Sequence, residues 1–372
     1  MMLVLASLPK SKLSTPRLPT PANAMGGREK EEATSTRTRP QARGQTVAVD
    51  LTAVVIAVTE NDPRVLVVRR GGDAQARPMR PTRARCWRDA LPSGPLAPRH
   101  RTLEAGLRAW VEEQTRAKLG YVEQLYTFGD RDRELPGGAH GTRVLSIGYL
   151  ALVWEAWPPP GSNATWQSWY HYFPWEDWRL GRPRILDRIQ SALLRWARDP
   201  ATREARRARE QRIRIAFGFH PVWNDERVLD RYELLYEVGL VPEARREGVR
   251  PWALKHDVIT EAEPMMADHR RILATALTRL RGKIKYRPVV FELMPPAFTL
   301  LQLQRTVEAL AGLRLHKQNF RRLVEQQGLV EETGHVVTAT GGRPAREVRF
   351  RHEAILERPA PGVRLPTARR ME

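Results

Sequence analysis

The sequence predicts an α/β (α+β) chain in three parts: a strand-rich domain around one amphipathic helix, a helical connector, and a C-terminal winged helix-turn-helix. Three observations predict it. Two β-branched runs, 46–59 and 64–70, flank a turn and precede a helix with apolar residues every three or four positions. Residues 184–280 read as a succession of helices. Residues 299–351 read helix, tight turn, helix, strand, Gly-rich turn, strand.

A chain of 372 residues can build two or three domains, and 41% hydrophobic with 7% aromatic residues fits a globular protein. No apolar run approaches the roughly 18 residues of a membrane span, so no membrane partner is expected. One cysteine, Cys86, excludes an internal disulfide and argues against a cysteine zinc cluster; the reducing cytoplasm is the expected location. Lys+Arg 62 against Asp+Glu 42 gives a net charge of +20 and a pI near 10.9, which favours a nucleic-acid partner.

Residues 1–45 are rich in Pro, Ser, Thr, Arg and Ala without a hydrophobic period, and a disordered extension is predicted. The apolar patch 2–8 lacks a preceding charged region and makes a poor signal peptide. The two β-branched runs form a hairpin through Asn61-Asp62-Pro63. In the helix that follows, Leu103, Leu107, Trp110 and Val111 share one face. Arg108, Glu112 and Glu113 lie on the more polar side, Glu112 one turn after Arg108. Two further strands, 122–130 and 143–154, flank a Gly-rich connection at 136–141. Six tryptophans follow: Trp154, Trp157, Trp166, Trp169, Trp175 and Trp178. Aromatics of this size mostly fill cores, and the run YHYFPWEDW (170–178) is the strongest candidate for stacking on a ligand ring.

In the connector, Ile185, Leu186, Ile189, Leu193, Leu194 and Ala197 form one apolar face, interrupted at Asp199-Pro200. Residues 202–214 are basic and nearly without large apolar side chains: either a solvated helix with Glu–Arg pairs or a face for DNA phosphates. Further helices are predicted over 226–238 and 264–280, the second carrying Met265, Ile272, Leu273 and Leu277.

Thr299 is a plausible N-cap for a helix bearing Leu300, Leu301, Leu303, Val307 and Leu310, ended by Ala311-Gly312. A second helix spans 316–327. Phe320, Leu323 and Val324 point inward, leaving Lys317, Gln318, Asn319, Arg321, Arg322 and Gln326 outward. Arginine or lysine suits guanine and phosphate, and asparagine or glutamine suits adenine, so this mix fits a DNA reader. The wing offers Thr338, Thr340, Arg343 and Arg346 around Gly341-Gly342 for phosphate or minor-groove contact. A solvated basic helix of a protein-interaction module is the plainer alternative.

The 102–115 helix, entered from a loop holding Gly94, resembles the Nudix box, G-x5-E-x7-R-E-U-x-E-E-x-G-U. Gly94, Arg108, Glu112 and Glu113 match it; His100, Ala109 and Thr115 stand where the box has glutamate, glutamate and glycine. In that family the glutamates hold divalent metal against a nucleotide pyrophosphate. Mg²⁺ needs converging oxygen ligands. Ala109 supplies none, so the resemblance implies no required cofactor, at most a weak Mg²⁺ at Glu112 and Glu113, and no efficient hydrolysis. LYTFGD (125–130), SIGYLAL (146–152), KIKYRPVVFELMP (283–295), FTLLQLQ (298–304) and NFRRLVEQQGLVEETG (319–334) resemble the Nudix-related transcriptional regulators of NAD metabolism.

That resemblance implies a Nudix-like α/β/α sandwich with a mixed sheet at 46–180, a helical connector at 181–282, a winged helix at 283–353 and a disordered tail at 354–372. It implies a repressor of NAD-biosynthesis genes, a homodimer on a double-stranded DNA operator. The effector is then NAD, ADP-ribose or an ATP-like nucleotide, for which Arg69, Arg70, Arg108, Glu112, Glu113 and Tyr126 are the candidate ligands. The runner-up is a Nudix hydrolase of ADP-ribose or a similar diphosphate, with Glu104 or Glu123 replacing the carboxylate missing at Ala109. A third reading is a non-enzymatic RNA- or protein-binding module.

Overall fold

The computed structural model describes residues 47–71, 87–129, 143–154, 162–200, 202–218, 222–246, 252, 258–338, 344–357, 362–363 and 369–370. The first β-branched run is strand β1 (Val47–Thr59), and residues 51–57 of it are buried without interruption. A strand buried on both faces belongs in the middle of a sheet, and β1 lies there. Around it are β2 (Asp62–Gly71), β3 (Trp87–Ala90), β4 (Ser93–Pro95), β5 (Tyr121–Phe128), β6 (Arg143–Leu152) and β7 (Ala164–Ser168). The order is β3-β2-β1-β6-β5, with β4 also paired to β1 and β7 to β2. β1 and β6 are parallel and the other pairs antiparallel, so the sheet is mixed as expected. The short strands β3, β4 and β7 carry little periodicity, and the sequence reading missed them.

The hairpin turn sits two residues earlier than predicted. Glu60 and Asn61, with φ of 53° and 62°, occupy its centre, and Pro63 is already in β2 opposite Val58. Two consecutive positive φ values match the twist of the flanking strands, which decides the position over the proline.

Helix α1 (Leu103–Thr115) covers one face of the sheet. Thr102 caps it, and Leu107 and Val111 are wholly buried with Leu51, Ala53, Val55 and Leu66. Thr115, at the box's glycine position, is still helical and donates its hydroxyl to Val111 O at 2.6 Å. The left-handed closing residue is Arg116, φ 55°. The opposite face packs Val54, Ile56, Val65, Val67, Leu150 and Leu152 into a core that continues through the connector to Leu303, Val307, Phe320 and Val324.

The connector holds α2 (Ile185–Arg198), α3 (Arg203–Phe217), the short strand β8 (Val222–Trp223), α4 (Val228–Val238), α5 (Pro242–Arg246) and α6 (His269–Ile284). Helix α3 is capped by Thr202 and mostly exposed, with Arg206–Glu210 and Arg212–Glu237 pairs, the pattern of a solvated helix. Helix α6 begins five residues later than expected and runs on to Ile284. Met265 is drawn out of the helix into a β-bridge with Asp89, and Ala267 takes a left-handed φ of 46°.

The C-terminal part has β9 (Phe298–Thr299), α7 (Leu300–Ala311), α8 (Lys317–Gln326), β10 (Val330–Val337) and β11 (Ala345–Phe350), with a sheet ordered β10-β11-β9. Thr299 forms a full capping box with Gln302, and Gly312, φ 70°, closes α7. Residues 1–45 lie outside the described residues. The tail, expected to be disordered, contains helix α9 (Ala354–Glu357), and strand β12 (Arg369–Arg370) pairs with β8. Val363 is fully buried and its N–H donates to Ile284 O at 2.8 Å, which anchors the tail. No described helix is long and apolar enough to cross a membrane.

Candidate functional site

In the reader, Phe320 and Val324 pin α8 to the core, with Leu323 half-buried beside them. Spacing by one helical turn then fixes the outward set. Lys317, Gln318, Asn319, Arg321, Arg322 and Gln326 are all exposed. The three-stranded sheet behind α7 and α8 completes a winged helix. Thr338 is exposed at the end of β10, and Arg346 on β11 pairs with Glu332 at 2.6 Å. Thr340 and Arg343 lie outside the described residues.

The candidate ligands of the sensor domain do not converge. Arg108 is engaged within its own neighbourhood: Nε donates to Glu104 at 2.9 Å, and Nη1 and Nη2 donate to Leu119 O and Gly120 O at 2.5 and 3.0 Å. It ties α1 to the loop entering β5. Glu112 and Glu113 are exposed on α1. His100 Nδ1 accepts from Ala97 N at 3.2 Å and its ring meets Trp110 edge-on, so it shapes the loop. Gly94 has no room for a side chain, since a Cβ would come 2.4 Å from the Trp110 ring.

Among the described residues no group of three His, Cys, Asp or Glu side chains can hold a metal ion. Glu104 is committed to Arg108, and Glu123 is clamped by Lys283 Nζ with Tyr121, whose hydroxyl donates to it at 2.8 Å. The described carboxylates around α1 do not by themselves converge into a Mg²⁺ site. Tyr126 is exposed and edge-on to Phe128.

Arg69 lies on the other side of the sheet from α1. In β2, Leu66 and Val68 join the α1 core while Val65 and Val67 join the opposite one, so alternation places Arg69 with the latter. There a cleft of about 390 Å³ is lined by Arg69, Ser162, Asn163, Ala164 and Thr165. This volume is within the range of small-molecule sites. Arg69 is exposed, and Ser162 Oγ has no hydrogen-bond partner among the described residues. The side chain of Arg70 lies outside the described residues.

The tryptophan-rich segment joins the sheet to the reader. Trp169, Trp175 and Trp178 are buried, which removes them as stacking surfaces, whereas Trp154 is 48% exposed. Trp157 lies outside the described residues. Glu176 is fully buried and held by two equally buried arginines. Arg231 makes a bidentate contact (2.5 and 2.8 Å) and Arg281 reaches it at 2.6 Å. Arg281 Nε also donates to Leu310 O at 2.9 Å, at the end of α7. Tyr170 donates to Ala309 O at 2.6 Å, and Trp178 N to Gly312 O at 2.8 Å. Burial pushes the Tyr170 hydroxyl up to about 12. At the other end of α6, Arg270 Nε donates to Tyr172 O at 3.0 Å and pairs with buried Glu243 at 3.2 Å. The Tyr172 hydroxyl in turn reaches Asp89, which stands opposite Arg69 across β2 and β3.

Residues 290–350 match the NrtR DNA-binding winged helix domain. Over that span the C-terminal domain is similar to the NrtR winged helix. The ADPR responsive transcriptional repressor NtrR of Acinetobacter baylyi is 43% identical over 83 residues, 22% of this chain and 33% of the relative, so the match spans about a third of that protein. Shewanella oneidensis NrtR complexed with a 27mer DNA is 20% identical, over 82% of this chain and 94% of that one, with a TM-score of 0.47. A MutT/nudix family protein from Enterococcus faecalis is 16% identical over 83% and 89%, also with a TM-score of 0.47. The NUDIX domain of Shewanella oneidensis NrtR complexed with ADP ribose is 22% identical over 37% and 82%, with a TM-score of 0.27.

The sequence reading missed Ser162, Asn163 and Thr165 in the cleft, and Glu176, Arg231 and Arg281 between the sheet and the C-terminal winged helix. The adjacent acids Glu176 and Asp177 inside YHYFPWEDW are the one local signal for Glu176: a carboxylate buried among large aromatics needs a cation.

Proposed function

We propose that this chain is a DNA-binding transcriptional regulator, a repressor of NAD-biosynthesis genes, whose sensor domain takes an ADP-ribose-type nucleotide. The observation that carries the reading is α8. Its apolar face is locked by Phe320 and Val324, and its outer face presents Lys317, Gln318, Asn319, Arg321 and Arg322 to solvent on an NrtR-type winged helix. The similarity to the ADPR responsive repressor supports ADP-ribose over NAD or ATP as effector. A homodimer in the cytoplasm, placing two α8 helices on a palindromic site, completes the proposal.

Each part of the geometry has a role in it. The α8 side chains read base edges and Thr338 contacts the backbone. The cleft beside Arg69 takes the anionic part of the nucleotide, since an exposed guanidinium and a Ser162 hydroxyl without a partner among the described residues suit phosphate oxygens. The buried contacts of Glu176, Arg281 and Tyr170 make any shift of the sheet a shift of α7. A nucleotide then acts by binding one DNA-competence state better than the other. The hydrolase reading has less support, because Glu104 and Glu123 are both held by cations.

The test is fluorescence anisotropy of labelled duplex from upstream of NAD-biosynthesis genes, against random duplex, at two salt concentrations. Preference for the upstream duplex supports the reading. Equal binding to both, steeply weakened by salt, would reduce the basic charge to non-specific attraction.

A further inference from the structure

We propose that the basic turn at residues 179–184, together with Arg314, forms a second DNA-facing surface that grips phosphates flanking the site read by α8. The inference rests on the regulator reading above.

The turn belongs to the sensor side of the chain, yet its backbone is fastened to the corner between α7 and α8. Trp178 N donates to Gly312 O at 2.8 Å, and Arg314 Nε donates to Arg179 O at 3.1 Å. The two backbones approach closely here, since a Cβ on Gly312 would fall 2.3 Å from Glu176 O. Residues 179–184, Arg-Leu-Gly-Arg-Pro-Arg, therefore begin against the turn 312–316 that leads into the reading helix, whose first residue is exposed Lys317.

The charges decide what this surface faces. Arg179 is neutralised by Asp177, with Nε–Oδ1 and Nη2–Oδ2 both 2.8 Å, and Arg182 pairs with Asp187. Glu308 approaches Arg314 only to 3.8 Å, and its carboxylate already accepts from Gln304 and Leu315. Arg314 is 63% exposed. Arg184 is exposed and forms no ion pair with a described residue. Two guanidiniums thus remain open to solvent, Arg314 in the turn entering a helix that carries Lys317, Arg321 and Arg322, and Arg184 in the segment bound to that turn through Arg179. A duplex longer than the stretch read by one helix continues past that edge, and its phosphates match the guanidinium fork. Leu180, 93% exposed at the tip, leaves the turn free of any covering segment among the described residues.

The experiment compares full-length wild type with R184A/R314A by anisotropy, on random duplexes of about 40 and about 14 base pairs, across a salt series. Losing two phosphate contacts should make the log–log salt slope on the longer duplex shallower by roughly 1.8 and leave the short one unchanged. R184K/R314K should keep most of the wild-type slope, and denaturation midpoints should stay in place because both side chains are exposed. Identical slopes for wild type and R184A/R314A on the longer duplex would overturn this inference alone. Absence of wild-type binding to either duplex would overturn it together with the regulator reading.

Discussion

Arg281 Nη1 lies 2.6 Å from Glu176 Oε2, and both side chains are wholly withdrawn from solvent. Glu176 comes from the aromatic segment that ends the sheet domain, and Arg281 from the last turns of α6. Arg231 binds the same carboxylate, so one acid holds two helices and, through Leu310 O, the end of α7. Removing one partner of such a cluster strands a buried charge. Glu176→Ala should destabilise the protein by about 3–5 kcal/mol in urea unfolding. Glu176→Leu combined with Arg231→Met should recover part of that loss; a loss below about 1 kcal/mol for Glu176→Ala would show the cluster to be dispensable.

Tyr170 gives the same junction a pH signature. Its hydroxyl donates to Ala309 O, and burial holds its pKa near 12 against an ordinary 10.0. In the folded protein the proton is retained, while the unfolded chain releases it above pH 10. The contribution is therefore complete below pH 10 and falls away as pH rises to about 12, a loss of about 2–3 kcal/mol. Tyr170→Phe should flatten this part of the stability–pH curve. An unchanged alkaline slope would show that Tyr170 titrates equally in both states.

Arg116 closes α1 in the left-handed conformation, φ 55°, where a Cβ is strained. Arg116→Gly should raise stability by about 0.5–1 kcal/mol, read as a higher denaturation midpoint with an unchanged m-value. A lower midpoint would mean that the arginine side chain contributes more than the strain it imposes.

The division of labour on α8 is testable base by base. Arg321→Ala should lose about 1–3 kcal/mol on a preferred duplex and relax selection at one position if it reads a guanine. Equal loss on every duplex would make Arg321 a phosphate contact instead.

Much of the reader was legible because its signals are local. Thr299 three residues before Gln302, Gly312 after an apolar helix, and Phe320 with Val324 one turn apart each define structure within a few positions. The central strands were equally legible, since the six consecutive apolar residues Ala53–Val58 leave little alternative to a sheet interior. The start of α6 was not: Met265 has helical spacing with Ile272, and a bridge to Asp89, some 170 positions away in sequence, overrides it. The relative placing of the candidate nucleotide ligands was hidden for the same reason. Arg69 and Arg108 are both arginines beside apolar runs, and only the pleat of β2 puts them on opposite sides of the sheet. Glu176 finds its partners 55 and 105 residues away, a distance no local pattern spans. The tail, with Ala354 and Val363 buried and β12 paired to β8, shows how a few contacts can dock a stretch whose composition reads as disordered.

The measurement that bears most directly on the coupling of cleft to reader is calorimetric titration of ADP-ribose into the protein, alone and saturated with its preferred duplex. Linkage requires that the fold-change in ADP-ribose affinity caused by DNA equal the fold-change in DNA affinity caused by ADP-ribose. A shift of about 5-fold or more, equal in both directions and abolished by Arg69→Ala, is the predicted result. ADP-ribose binding with the same affinity with and without duplex would contradict it.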